Sequence, residues 1–205
     1  MSQPPQKSRF EFTGGNLCLD FVNTVNNRGG DHPVDLLESY GDLLQWITEA
    51  RVLTPKIADR LRSLSEAAPG RAQSALREAI QLRDALYTVF SAVAARRGIS
   101  DVALGLVNRA AQRAAEHARL VHGARRFSWE WASPEESLDS PLWPVARAAA
   151  DLLVSDDAAL VGQCAADDCA WIFLDTTKNH RRRWCDMRTC GNRDKARRYY
   201  QRTKG

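Results

Sequence analysis

Cys164-Ala-Ala-Asp-Asp-Cys169, then fifteen residues, then Cys185-Asp-Met-Arg-Thr-Cys190, running on as Gly-Asn-Arg-Asp-Lys-Ala-Arg-Arg-Tyr199-Tyr200, is the stretch on which the reading of this chain turns. It holds four of the five cysteines as two C-x4-C pairs. Paired thiols at short spacing, with a loop between the pairs, are what a tetrahedral Zn2+ site requires, each pair supplying one edge of the tetrahedron. Four spacer residues lie at the long end of the usual range. The competing readings are two disulfides, or unpaired cysteines in an ordinary core. Disulfides are disfavoured because no secretory signal is read, and cytosolic thiols stay reduced. Four thiolates leave no open coordination position, so the ion is expected to be structural. A segment of about forty residues builds only a small core, so metal binding should be a main source of its folding free energy.

Locally, Cys164 is expected on a turn, followed by strand-like Ala170-Trp171-Ile172-Phe173-Leu174. The chain returns through 182–184, and Cys185 and Cys190 bracket the turn into a last helix over about 189–202. Two ligands on a hairpin turn and two at a helix start describe a treble-clef-like finger. Gly191 reads as a position with no room for a Cβ. Asn192 and Arg193 either touch a phosphate or base, or support the cysteine turn as partners of the metal ligands.

Charge is unevenly placed. Residues 164–205 carry eleven Lys/Arg against five Asp, which leaves the rest of the chain slightly acidic within a total of +4. A near-neutral body with a basic end is the asymmetry of a nucleic-acid binder. The candidate DNA contacts are Lys178, Arg181, Arg182, Arg183, Asn192, Arg193, Lys195, Arg197, Arg198 and Arg202. Guanidinium groups at this density suit phosphate contact and major-groove readout. The bland alternative is a solvated basic face.

Cys190-Gly191-Asn192-Arg193 reads CGNR and follows Arg182-Arg183-Trp184-Cys185-Asp186-Met187. The segment resembles the CGNR zinc finger, a module usually found behind an N-terminal ABATE domain. Phe12-Thr13-Gly14-Gly15-Asn16-Leu17-Cys18-Leu19-Asp20-Phe21-Val22-Asn23-Thr24 resembles the opening of that domain. The resemblance implies a stress-related transcription regulator and a treble-clef-like arrangement of the four cysteines.

The body is read from periodicity. Residues 1–9 are polar, Pro-rich and loose. Phe10 and Phe12 alternate with polar residues, which suggests a short strand. Asn16 can N-cap a helix over 17–26 with a broad apolar face. Ser39 with Asp42 opens a second helix, and Thr54-Pro55 a third that Pro69-Gly70 ends. The longest helix runs from about 71 to 97, closed by Gly98, and Ser100 caps another over 101–118. Two short strands follow, around 120–122 and 127–131, and Ser140-Pro141 starts the last helix of the body. The fold class is therefore α+β and α-rich: a mostly helical N-terminal domain, 1–157, with a few short strands, and the finger, 158–205. The body is expected to fold without the finger.

Asp20, Asn23 and Thr24 share a helix face, with Arg28 nearby. They either line a ligand pocket or act as caps and buried hydrogen-bonded supports. No 18-residue apolar stretch occurs, so no membrane span is expected and the chain is placed in the cytoplasm. No nucleophile–base pair or carboxylate dyad calls for an enzyme. The reading is a bacterial DNA-binding transcription regulator with structural Zn2+. Its body would sense a small-molecule effector or mediate homodimerisation. The alternative is a finger that binds protein or RNA.

Overall fold

Asn16 caps helix α1, Leu17–Val22, by accepting the Cys18 N–H at 3.1 Å. The helix is shorter than the sequence suggests, because the chain leaves helical geometry where Asn23 and Thr24 take other partners. The Thr24 hydroxyl bonds the Phe21 carbonyl, and Val25–Asn26 (β1) then pairs antiparallel with Val34–Asp35 (β2). Every residue from Cys18 to Val22 is buried, so this six-residue helix sits at the centre of the molecule.

The computed structural model describes residues 8–203, except for the side chain of Arg198. The first seven residues of the Pro-rich lead and the Arg198 side chain lie outside the described residues. Ser8 and Arg9 are not loose: Arg9 donates to the Leu36 carbonyl at 2.9 Å and pairs with Asp42. Phe10 and Phe12 form no strand, having no partner to ladder with. Phe10 is buried, and the Phe12 ring stacks on Trp46 at 6.3 Å.

Helices α2 (Tyr40–Glu49), α3 (Pro55–Ala67), α4 (Pro69–Ala94), α5 (Asp101–His117) and α6 (Leu142–Leu153) build the body. Ser39 and Asp42 form a full capping box on α2, and Thr54 and Ser100 cap α3 and α5. Pro69 and Gly70 do not simply end α3. They open α4, where the missing N–H of Pro69 costs nothing in a first turn. That helix ends at Ala94, on left-handed Arg96 rather than on Gly98. Between α5 and α6, β3 (Ala118–His122) and β4 (Phe127–Trp131) form an antiparallel hairpin.

Arg83 on α4 is buried, and its guanidinium meets the Asp35 carboxylate at 2.6 and 2.7 Å, tying β2 to the helix. A buried arginine costs several kcal/mol to desolvate, and this two-pronged pairing offsets it.

The finger is not a bead on a string. Its hairpin strands, β5 (Val161–Gln163) and β6 (Ile172–Leu174), pair antiparallel, and α7 (Asn192–Thr203) closes the chain. Strand side chains alternate between faces. Ile172 and Leu174 enter the body's core with Val161, while Trp171 and Phe173 enter a second cluster with the four cysteines. One strand thus serves two cores, and without the finger the body would lack three of its own core side chains. Body and finger share a core, which tells against the expectation that the body folds without the finger.

Candidate metal centre

The four cysteines arrive from two turns. The connection from β5 to β6 carries Cys164 and Cys169, with Cys164 N–H bonded to the Trp171 carbonyl at 2.7 Å. Cys185 precedes, and Cys190 lies within, a wide turn over Met187–Gly191, which Asp186 caps by accepting the Arg188 N–H at 2.9 Å. The Met187 side chain packs where a Gly191 Cβ would stand, which gives the steric reading of that glycine a concrete neighbour.

All four sulfurs are buried and lie within 4.8 Å of one another. Cys169–Cys185 and Cys185–Cys190 Sγ separations are 3.5 and 3.6 Å. Sulfurs bound at about 2.3 Å in a tetrahedron stand about 3.8 Å apart, so the set fits one Zn2+ with little adjustment. All are free thiols, whereas a disulfide would bring two sulfurs to about 2.05 Å. Hydrogen bonds from Cys169 and Cys185 hold the Cys164 sulfur well below the ordinary thiol range. Those same contacts push Cys169 and Cys185 up. Four thiolates this close repel one another, and a bound divalent cation would supply the compensating charge. With all four positions taken by thiolates, the ion is structural.

Arg193 supports the cluster, donating to Cys190 Sγ at 3.5 Å and to Asp168 at 2.9 Å. Asn192 bonds the Arg188 carbonyl at 3.2 Å, and Arg197 pairs with Asp167. Arg182 is committed more heavily still. Its guanidinium donates to the carbonyls of Thr13, Leu174, Trp184 and Cys185 and stacks over Phe173 at 4.4 Å. Lys178, Arg181, Arg183, Lys195 and Arg202 are exposed, with no side-chain ion pair among the described residues. Sequence reasoning overlooked Arg188, which is also exposed, has no ion pair among the described residues and lies in the turn between the third and fourth ligands. It likewise overlooked Asp167 and Asp168, whose place between the first two ligands was the available signal.

Asn23 bridges the seam between body and finger with Asp20 beside it, while Thr24 and Arg28 are held against α4; each bonds within the protein itself. Asp20 accepts the Gly14 N–H at 2.7 Å, and burial pushes its carboxyl up to about 6. Asn23 receives the Ile172 N–H at 2.9 Å and donates to the Ile172 carbonyl at 2.8 Å. Its amide covers the open edge of β6 as a neighbouring strand would. Arg83 reaches Thr24 at 3.4 Å, while Arg28 pairs with Asp84 and lies over the Tyr87 ring. The seam continues with the Leu174 N–H to the Gly14 carbonyl at 2.8 Å and the Trp171 indole to the Val25 carbonyl at 2.8 Å. Gly29 lies so close to the cysteine turn that a Cβ there would stand 2.7 Å from the Asp167 carbonyl oxygen.

No helix among the described residues is long and apolar enough to cross a membrane. No curated protein matches the chain. Residues 161–203 match the CGNR zinc finger, and residues 15–156 match ABATE, described as "Putative stress-induced transcription regulator". Neither description is of an enzyme. With that match spanning well over half its length, the chain belongs to the ABATE family and carries a CGNR zinc finger with a structural four-cysteine metal centre.

Proposed function

We propose that the protein is a cytoplasmic, DNA-binding transcription regulator whose zinc finger makes the DNA contact. Its helical body carries the regulatory input, through a small-molecule effector or the pairing of two copies. The observation that carries this reading is the set of exposed cations with no ion pair among the described residues, held on a four-cysteine scaffold, within a family described as "Putative stress-induced transcription regulator". Zinc fixes the turns, the turns fix where the cations stand, and cations in fixed positions meet phosphates at a defined spacing. A single finger reads few bases, so a long operator calls for two copies. The seam at Asp20, Asn23 and Gly29 gives the body a direct mechanical hold on the finger, through which an event in the body would reach it.

The test is selection of genomic DNA fragments by the zinc-loaded protein, followed by sequencing. A regulator enriches fragments that share a sequence, and the enrichment disappears after chelation. Failure to retain any duplex at about 50 mM salt, where phosphate contacts are strong, would refute the reading. Retention of RNA in preference to duplex DNA would move the assignment to an RNA-binding module.

A further inference from the structure

Apart from Lys195 and Arg202, exposed on α7, the finger's cations among the described side chains fall into two sets. Arg193 and Arg197 are neutralised by Asp168 and Asp167, beside a centre that carries a net −2 when four thiolates hold one Zn2+. Arg182 is tied to carbonyls. The other set, Lys178, Arg181, Arg183 and Arg188, lines one open groove of about 740 Å3 between the 177–183 loop and the turn that follows Cys185. Trp184 stands in the wall, with Arg183 over its ring at 5.2 Å. The sole acid among the lining residues is Asp186, whose carboxylate caps the turn by accepting the Arg188 N–H.

We propose that this groove, rather than the exposed face of α7, holds the phosphodiester backbone of duplex DNA, an inference that rests on the finger binding DNA at all. The density of uncompensated charge decides it. Along α7, Arg193 and Arg197 face two carboxylates and a negative metal centre, which leaves Lys195 and Arg202 as the cations without an ion pair among the described side chains. In the groove, five cations stand against one carboxylate among the lining residues, with Asp175 buried behind the 177–183 loop. Counterions condensed on DNA are released only where uncompensated cations replace them, so binding energy concentrates there. Arg182 is a positioning residue, fastening the groove floor to Thr13 of the body, which itself lines the groove.

Four phosphate contacts give a slope of log K against log salt of about −3.6, a fall of about 150-fold in affinity between 50 and 200 mM salt. The experiment is a fluorescence-anisotropy salt titration of the zinc-loaded full chain on duplex DNA. Three proteins are compared: wild type, Arg181→Ala/Arg183→Ala, and Lys195→Ala/Arg202→Ala. All four substituted residues are exposed, so zinc content and thermal midpoint should stay at wild-type values and confirm folding. The groove variant should lose about half the slope, leaving a fall of about 12-fold over the same range, and the helix variant should keep the wild-type slope. A slope lost in the helix variant and kept in the groove variant would place DNA on α7 and overturn the inference, with DNA binding intact. No duplex binding by wild type would instead remove the reading beneath it.

Discussion

Replacing Asn23 with alanine should be among the most damaging single changes outside the cysteines. The side chain is 3% exposed and makes two hydrogen bonds to one residue 149 positions away, Ile172, at 2.8 and 2.9 Å. Truncation leaves a buried N–H and a buried carbonyl on β6 without partners. Each such orphan costs about 1–3 kcal/mol, so the pair should cost about 2–6 kcal/mol. A domain of this size loses roughly 2–4 °C of thermal midpoint per kcal/mol, which puts the expected drop at about 4–24 °C. Far-UV circular dichroism on heating reads the midpoint, and a urea titration with an unchanged m-value shows that stability alone has moved. Because β6 and the residue before it carry Phe173 and Trp171 into the cysteine cluster, zinc should pass faster to a colorimetric chelator. Asn23→Asp separates the two bonds: a carboxylate still accepts the Ile172 N–H but repels the Ile172 carbonyl. Loss of under about 1 kcal/mol in Asn23→Ala, or zinc release at the wild-type rate, would refute the idea that this amide joins body to finger.

Purified protein should hold one Zn2+ per chain by elemental analysis. Cys→Ser at 164, 169, 185 or 190 should lower that value, and Cys18→Ser, whose thiol lies in the body's core, should not. Chelation should lower the thermal midpoint of the helical signal as a whole, because Val161, Ile172 and Leu174 belong to the body's core; an unchanged midpoint would show the two parts to be independent. Asp20 gives a pH test. Burial raises its folded pKa to about 6, against an ordinary value of about 3.9, so its stabilising share is full below about pH 4 and lost as pH rises through 6. Asp20→Asn should therefore be more stable than wild type above pH 7 by up to about 3 kcal/mol, with the gap closing near pH 4; parallel stability curves would contradict this. Gly29→Ala should destabilise by about 1–3 kcal/mol and speed zinc loss, since the new Cβ meets backbone that no rotamer change can move. Gly98→Ala, with nothing within 4 Å of the added carbon, is the control.

What could be read from the residues alone was whatever rests on near neighbours in the chain. The ligand pairs at 164/169 and 185/190 are local, as are the Ser39–Asp42 capping box, the Thr54-Pro55 and Ser100 starts and the 118–131 hairpin. Their geometry is set within a turn or two, so spacing suffices. Misreadings fell where a local signal had two outcomes. Pro69-Gly70 can end one helix or begin the next, and the run from Asn23 to Asn26 looks helical until it finds a partner strand. Only the tertiary structure decided that β6 faces two cores, that Asn23 serves as its missing neighbour, and which arginines are already paired. Arg193 and Arg197 read identically to Arg181 and Arg183 in one dimension. They differ because folding brings Asp167 and Asp168 within reach of the first pair and leaves the second facing solvent, and Coulomb energy depends on separation in space rather than along the chain.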